Sequence, residues 1–293
     1  MSRVNAGEIT TSHSPRAAER VRTDVVTICA AQGGFITQAQ LARRHGRETA
    51  RLGLGGLAAR GEIDDVIPDV WVHVASGRMP LGDLTLEAQA SWLALAPALL
   101  LRERSERTGR DENVPVIGGG AAWKHWGFGP TIWRPAITVP VEQSRVATDD
   151  VVDVVVEEID RVDVAWVDQY PYLRPEATLA RGYEASMDLD ETAAALATAM
   201  WRLQPLRPEL PAYHLGEVAE RNGWVEHNWN AETIYRQLVS RAGGWPTQPG
   251  SPYWTAWWSN AAHIRRVRRR HPSWLASEAL IDWWDEYRRD GRE

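Results

Sequence analysis

The chain has 293 residues, with 33 basic and 39 acidic side chains, one cysteine and 16 tryptophans. That length accommodates about two domains, a 44% hydrophobic content excludes a globally disordered chain, and the lone Cys29 excludes a disulfide framework or a thiolate metal cage. No run approaches the roughly 18 apolar residues of a membrane span. The polar stretch from Met1 to Pro15 lacks a signal-peptide core, so the expectation is a soluble, cytoplasmic protein with no membrane partner. The net charge of −6 is unevenly spread: +1 over residues 1–76, −9 over 77–259 and +2 over 260–293, the last with five arginines between His263 and His271. Lys124 is the only lysine, so the positive charge is almost all guanidinium, which grips phosphate or carboxylate with two bonds.

Residues 1–15 read as a disordered tail and residues 16–78 as a small helical domain. After Pro15, Val21, Val25, Val26, Ile28 and Cys29 recur at helical spacing, giving an amphipathic first helix that Gly33-Gly34 stops. Phe35-Ile36 leads into Thr37, an N-cap for a short helix from Gln38 to Arg44 with Ala39 and Leu41 on its apolar face. Gly46 breaks the chain. A third helix, from about Arg47 to Ala59, places Leu52 and Leu57 inside and leaves Arg47, Thr49, Arg51 and Arg60 outside. Glu62-Ile63 and Val70 to Val74 then read as two short strands around a turn containing Pro68. Three helices, the last two tightly joined, followed by a hairpin, form the winged helix-turn-helix pattern, in which the third helix enters the major groove. The same pattern also fits a three-helix scaffold that only mediates contacts.

Residues 80–205 read as a mixed α/β domain. Leu84 to Leu101 is helical in pattern, with Leu86, Ala90, Leu93 and Ala94 on one face, and the charged stretch from Arg102 to Asn113 reads as a surface loop or helix extension. Val114 to Ile117 is a strand running into the small residues Gly118 to Ala122, which allow a close strand–helix approach. Ala136 to Val141, Val151 to Val156 and Val164 to Val167 are strand-like, the second alternating poorly enough to predict burial on both faces. Helices follow from about Glu176 to Tyr183 and from Asp190 to Leu203, the latter capped by Asp188 or Asp190.

Local motifs for catalysis fail on chemistry. Gly118-Gly119-Gly120 near Lys124 lacks the Gly-Lys-Ser/Thr of a phosphate loop. Asp188-Leu189-Asp190 has no preceding Gly-Ser element, so capping explains it better than metal binding. The eight histidines show no metal spacing and read as cap or surface residues, and Ser91, Ser144 and Ser186 sit in no nucleophile elbow. Asp149, Asp150, Asp153, Glu157, Glu158, Asp160, Asp163 and Asp168 against the single Arg161 form either a solvated face or a surface for a basic partner.

Residues 206–293 read as a helical carboxyl-terminal region. Leu210 to Arg221 and Ala231 to Arg241 are helical, Gly243 to Gly250 is a linker, and seven tryptophans fall in the last 49 residues. Two further helices, meeting at Pro272-Ser273, read as an antiparallel Trp-rich hairpin. Three roles stand for it: burial against the middle domain, nucleic-acid binding through Arg265, Arg266 and Arg269 with tryptophans stacking on bases, or docking of a protein partner.

Gly33 to Ala42, Leu57 to Ile63, Gly118 to Gly127, Ala136 to Pro140 and Tyr170 to Leu179 follow one another as in AbiEi-type antitoxins of type IV toxin–antitoxin systems, and the chain resembles that family over about residues 20–200. The resemblance implies an α+β protein whose amino-terminal winged helix binds double-stranded DNA at its own promoter and represses it. The remainder would oppose a cognate toxin similar to nucleotidyltransferases, directly or through the toxin's target. It implies no enzyme activity, cofactor, metal or small-molecule substrate. Arg47, Thr49 and Arg51 are the expected groove contacts, with Gln38, Gln40, Arg43 and Arg44 near the phosphates and Arg60 as a further DNA-binding residue. Asp149, Asp150, Asp153, Glu157, Glu158, Arg265, Arg266 and Arg269 are the candidate partner contacts. Two departures stand out: the usually basic wing here carries Asp64, Asp65 and Asp69 beside Glu62, and the family's arginine–aspartate pair after the helix-leading proline is replaced by Ala177 and Arg181. The alternative they favour is a protein-interaction module built on a degenerate winged helix that no longer binds DNA.

Overall fold

The computed structural model describes residues 15–78, 83–108, 114–129, 133–140, 151–202 and 209–242. The architecture is mixed α+β, with ten α-helices and two β-sheets among the described residues.

Helix α1 (Pro15–Ala31) buries Val21, Val25, Ile28 and Cys29 along one stripe. Val26, expected on that stripe, lies one helical step off it and is 46% exposed. The helix stops where Gly33 and Gly34 take positive φ and the Gly34 amide turns back to the Cys29 carbonyl at 2.8 Å. Phe35-Ile36-Thr37 then forms a strand, β1 (Phe35–Thr37), rather than a mere lead into the next helix. Thr37 doubles as the N-cap of α2 (Gln38–His45): its hydroxyl accepts from the Gln40 amide while the Gln40 side chain accepts from the Thr37 amide, a reciprocal capping box. Gly46, at φ 80°, separates α2 from α3 (Arg47–Ala59). Ala50, Leu54 and Leu57 are the buried residues of α3. Leu52, expected inside, is 39% exposed because it stands half a turn away from the Ala50–Leu54–Leu57 stripe. Strands β2 (Ile63–Ile67) and β3 (Val70–His73) form a hairpin, and β1 adds to β3, giving an antiparallel sheet of order β1-β3-β2.

The expected helix from Leu84 to Leu101 stops at Ala94 as α4 (Leu84–Ala94), and a separate helix, α5 (Leu101–Thr108), takes up part of the stretch expected as a loop or helix extension. Pro97 accounts for the break: it offers no amide and disfavours helical backbone at the residue before it. Ala94, placed on the apolar face by the sequence pattern, is exposed. Most of the rest of α4 is buried, including Leu86, Ala88, Ala90, Trp92 and Leu93, because the helix lies between the first sheet and a second one. That second sheet joins β4 (Val116–Gly118), β5 (Pro135–Val139), β6 (Asp153–Val156), β7 (Val164–Val167) and β8 (Tyr170–Leu173) in the order β6-β5-β4-β8-β7. Pairs β4–β5 and β7–β8 are antiparallel; β4–β8 and β5–β6 are parallel. The run from Val151 to Val156, expected to be buried on both faces, ends in the edge strand β6, with Val155 and Val156 40% and 46% exposed.

Helix α6 (Gly119–His125) starts so close to the chain entering β5 that a Cβ on Gly120 would stand 2.2 Å from the Trp133 carbonyl oxygen. Helices α7 (Pro175–Ser186), α8 (Leu189–Arg202), α9 (Glu209–Arg221) and α10 (Ala231–Arg241) share a core of Leu179, Tyr183, Leu196, Leu215, Ile234 and Leu238 with Trp123 of α6. Asp188 caps α8, accepting from the amides of Asp190 and Glu191 at 2.8 and 3.0 Å, while Asp190 pairs with Arg241 instead. The Trp-rich hairpin expected after residue 250 lies outside the described residues.

Two glycines separate packing from propensity. Gly120→Ala must push backbone apart and is expected to cost about 1–3 kcal/mol. Gly55 lies in α3 with open space around its Cβ position, so Gly55→Ala is expected to stabilise by about 0.5–1 kcal/mol. Thermal unfolding of the two variants checks this; shifts of the same sign would contradict it.

Candidate nucleic-acid interface and a charged cleft

The eight residues expected at a DNA surface divide sharply. Gln40 is not at the surface: it is 2% exposed, with its side chain exchanging bonds with Gln32 at 2.7 and 3.2 Å and donating to the Leu99 carbonyl at 2.7 Å. It cannot reach a phosphate, and its role is to pin the segment between α4 and α5 onto α2. Arg43 also faces that segment, gripping the Glu103 carboxylate at 2.7 and 3.1 Å and the Ala98 carbonyl at 2.7 Å. Arg44 pairs with Asp24 at 2.6 Å, Arg51 with Glu48 at 2.6 Å, and Arg60 with Glu62 at 2.7 Å. Glu62 accepts from Arg22 as well, and the hydrogen bonds from Arg60 and Arg22 hold its carboxyl below the usual carboxylate range. Gln38 and Thr49 are half-buried. Arg47 is exposed at the start of α3 and enters no ion pair among the described residues. On the β2–β3 hairpin, Asp65 and Asp69 are exposed and Asp64 is half-buried.

A second polar assembly lies where the chain after β6 crosses α7 and α9. A cleft of about 460 Å³ opens there, with Leu173, Ala177, Ala180 and Val218 among its apolar lining residues. Its charged groups hold one another. Glu157 bridges Arg181 and Arg221, and both arginines also bind Glu184, which accepts from the Asn222 amide at 3.0 Å. Burial pushes the Glu184 carboxyl up, but Asn222 and the two guanidiniums outweigh it and hold the group low. Deeper in, His214 is buried with Nε2 at 3.1 Å from Asp163 and Nδ1 at 3.2 Å from Glu217. Burial opposes its charge, yet the two carboxylates dominate and raise the imidazole to about 9, so it is an imidazolium at neutral pH.

The expected partner-contact residues fare unevenly. Glu157 is turned into this network, Asp153 pairs with Arg134 at 3.0 Å, and Glu158 is exposed. Asp149, Asp150, Arg265, Arg266 and Arg269 lie outside the described residues. The acidic run is therefore neither a simple solvated face nor wholly available to a partner: Asp163 and Glu157 fasten it to α9 and α7. His214 is not the cap or surface residue expected. Its link to Asp163 spans 51 residues, which no local spacing announces; the only sequence trace is Glu217 one turn further along the same helix.

Among the described residues, no group of three or more histidine, cysteine, aspartate or glutamate side chains could hold a metal ion. None of their helices is long and apolar enough to cross a membrane. No family model matches the chain, and none of the curated proteins matches it.

The buried imidazolium carries a pH signature. Its pKa is raised on folding from 6.5 to about 9, so its contribution is complete below about 6.5 and is lost as pH rises through about 9. Wild-type melting temperature is expected to fall across that window, whereas His214→Gln starts lower and lacks the fall. An unchanged pH profile in the variant would remove His214 from the account.

Proposed function

We propose that this protein is an AbiEi-like antitoxin and autorepressor whose amino-terminal unit is a winged helix-turn-helix. The observation that carries the reading is the element order α1, β1, α2, α3, β2, β3, with a sheet of order β1-β3-β2 and a single glycine joining α2 to α3. In that arrangement α3 is the groove-entering helix, and its exposed residues include Arg47, Glu48, Arg51 and Leu52. Arg47, Thr49 and Arg51 are its base readers; Gln38, Arg44 and Arg60 face the phosphates. Internal ion pairs on Arg44, Arg51 and Arg60 do not forbid this, since the three guanidinium side chains stay 44–59% exposed and such pairs contribute little. The rest of the chain opposes a cognate nucleotidyltransferase-like toxin in the cytoplasm, with no chemistry of its own.

A second reading has its own support. The acidic hairpin and the carboxylate on each of four expected DNA-facing arginines favour a protein-interaction module that keeps this shape without DNA affinity. Fluorescence anisotropy on duplex DNA from upstream of the chain's own start codon, against scrambled duplex at two salt concentrations, separates the two. The repressor reading expects tight binding to the native duplex alone, weakened by salt, with Arg51→Ala losing about ten- to a hundredfold of the preference. No binding to either duplex at either salt concentration would select the interaction module.

A further inference from the structure

The segment between α4 and α5 lies across α2 and takes up its hydrogen-bond donors one after another. The Thr37 hydroxyl donates to the Pro97 carbonyl, Arg43 to that of Ala98, and Gln40 to that of Leu99. At the start of α5, Glu103 completes the contact by presenting both carboxylate oxygens to the Arg43 guanidinium. Two parallel N–H to O bonds on one guanidinium are the geometry with which arginine also takes a phosphate. Glu103 is not a loose surface acid, because it also accepts from the Leu100 amide at 2.8 Å, which holds it at the start of α5. Helix α5 is itself anchored: the Arg104 guanidinium stacks 3.5 Å over the Trp92 ring and donates to the Trp92 carbonyl.

We propose that residues 97–103 form an internal mask on α2, with the Glu103 carboxylate standing on Arg43 where a DNA phosphate would otherwise stand. This rests on the DNA-binding reading above and adds to it an autoinhibitory contact. With the mask in place Arg43 releases no counterion on binding; with the carboxylate neutralised, one more phosphate contact forms and affinity becomes more dependent on salt.

The test uses the full chain and the upstream duplex, with affinity measured from 50 to 200 mM salt. Glu103→Gln keeps an acceptor for the Leu100 amide and removes only the charge. It is expected to bind more tightly than wild type at low salt and to steepen the slope of log affinity on log salt by about 0.9, so that it loses roughly threefold more affinity than wild type over that range. The double variant Arg43→Ala with Glu103→Gln is expected to return to the wild-type slope. Glu106→Gln controls for net charge: it removes a carboxylate of the same helix that pairs with Arg102 rather than with α2, and its slope is expected to stay that of wild type. If wild type binds and Glu103→Gln is no steeper, or if the double variant or Glu106→Gln is equally steep, the mask is overturned and the DNA reading stands. If neither wild type nor Glu103→Gln binds duplex in a salt-dependent way, both fall together.

Discussion

Helix α4 is covered from several sides, and much of the architecture follows from that. A helix apolar around its circumference is stable only where other elements cover every face. Here the first sheet supplies Phe35, Ile67, Val70 and Val72, and the second supplies Ile117, Ile137, Val139, Tyr170 and Tyr172, to one continuous core with Leu86, Trp92 and Leu93. Trp92 shows how tightly this is specified. Its indole nitrogen donates to the Pro115 carbonyl at 2.7 Å, and its ring meets Tyr170 edge-on at 5.6 Å with the Arg104 guanidinium on its face. A buried indole needs a partner for its N–H, so α4 is tied by a polar bond to the residue that leads into β4, inside an apolar core. The two sheets therefore have their common ground in α4, although the sequence places it wholly with the second.

The same dependence explains the region around α2. Gln32 and Gln40 are both buried, and primary amides taken out of water must find partners or cost stability. They find them in each other, in the Phe35 carbonyl and in the backbone on either side of α5's start: the Leu99 carbonyl and the Leu101 amide. Gln40 also serves the capping box, so one side chain fixes where α2 begins and what lies across it. Substituting an apolar residue there would remove the box and orphan two backbone groups at once, which is why the position acts structurally although its polarity and helix placement resemble those of a phosphate contact.

What the sequence made legible is what short-range chemistry decides. Thr37 before α2, the glycines flanking α3, and Asp188 before α8 each fix an element end through bonds spanning a few residues. The errors fall where long-range context decides. Leu52 and Val26 are apolar residues one or two helical steps off the buried stripe, and composition alone does not tell them from core. The valines of β6 read as doubly buried, yet strand order leaves them at a sheet edge. Strand β8 went unread because Pro171 lies within it and Pro175 soon starts a helix, so the proline-led helix dominated the pattern. The candidate site follows the same division: arginine positions on α2 and α3 were legible, but Asp24, Glu103 and the His214–Asp163 pair were assigned by folding alone.

The matching of arginine to carboxylate bears on selectivity as well as on stability. Non-specific affinity for nucleic acid comes from phosphate contacts, and it scales with the number of cations free to release counterions. A surface carrying +1 over residues 1–76, with Arg43, Arg44, Arg51 and Arg60 already engaged and aspartates on its hairpin, has little of that general attraction. Whatever binds it well must then offer something the internal carboxylates do not, either base edges within reach of Arg47 and Arg51 or a protein surface shaped to the exposed face of α3. Self-neutralisation lowers affinity for all duplexes alike, while contacts to base edges or to a shaped partner are kept for one ligand. On the function proposed, such a weakly charged surface would gain its discrimination by giving up the attraction that every polyanion shares.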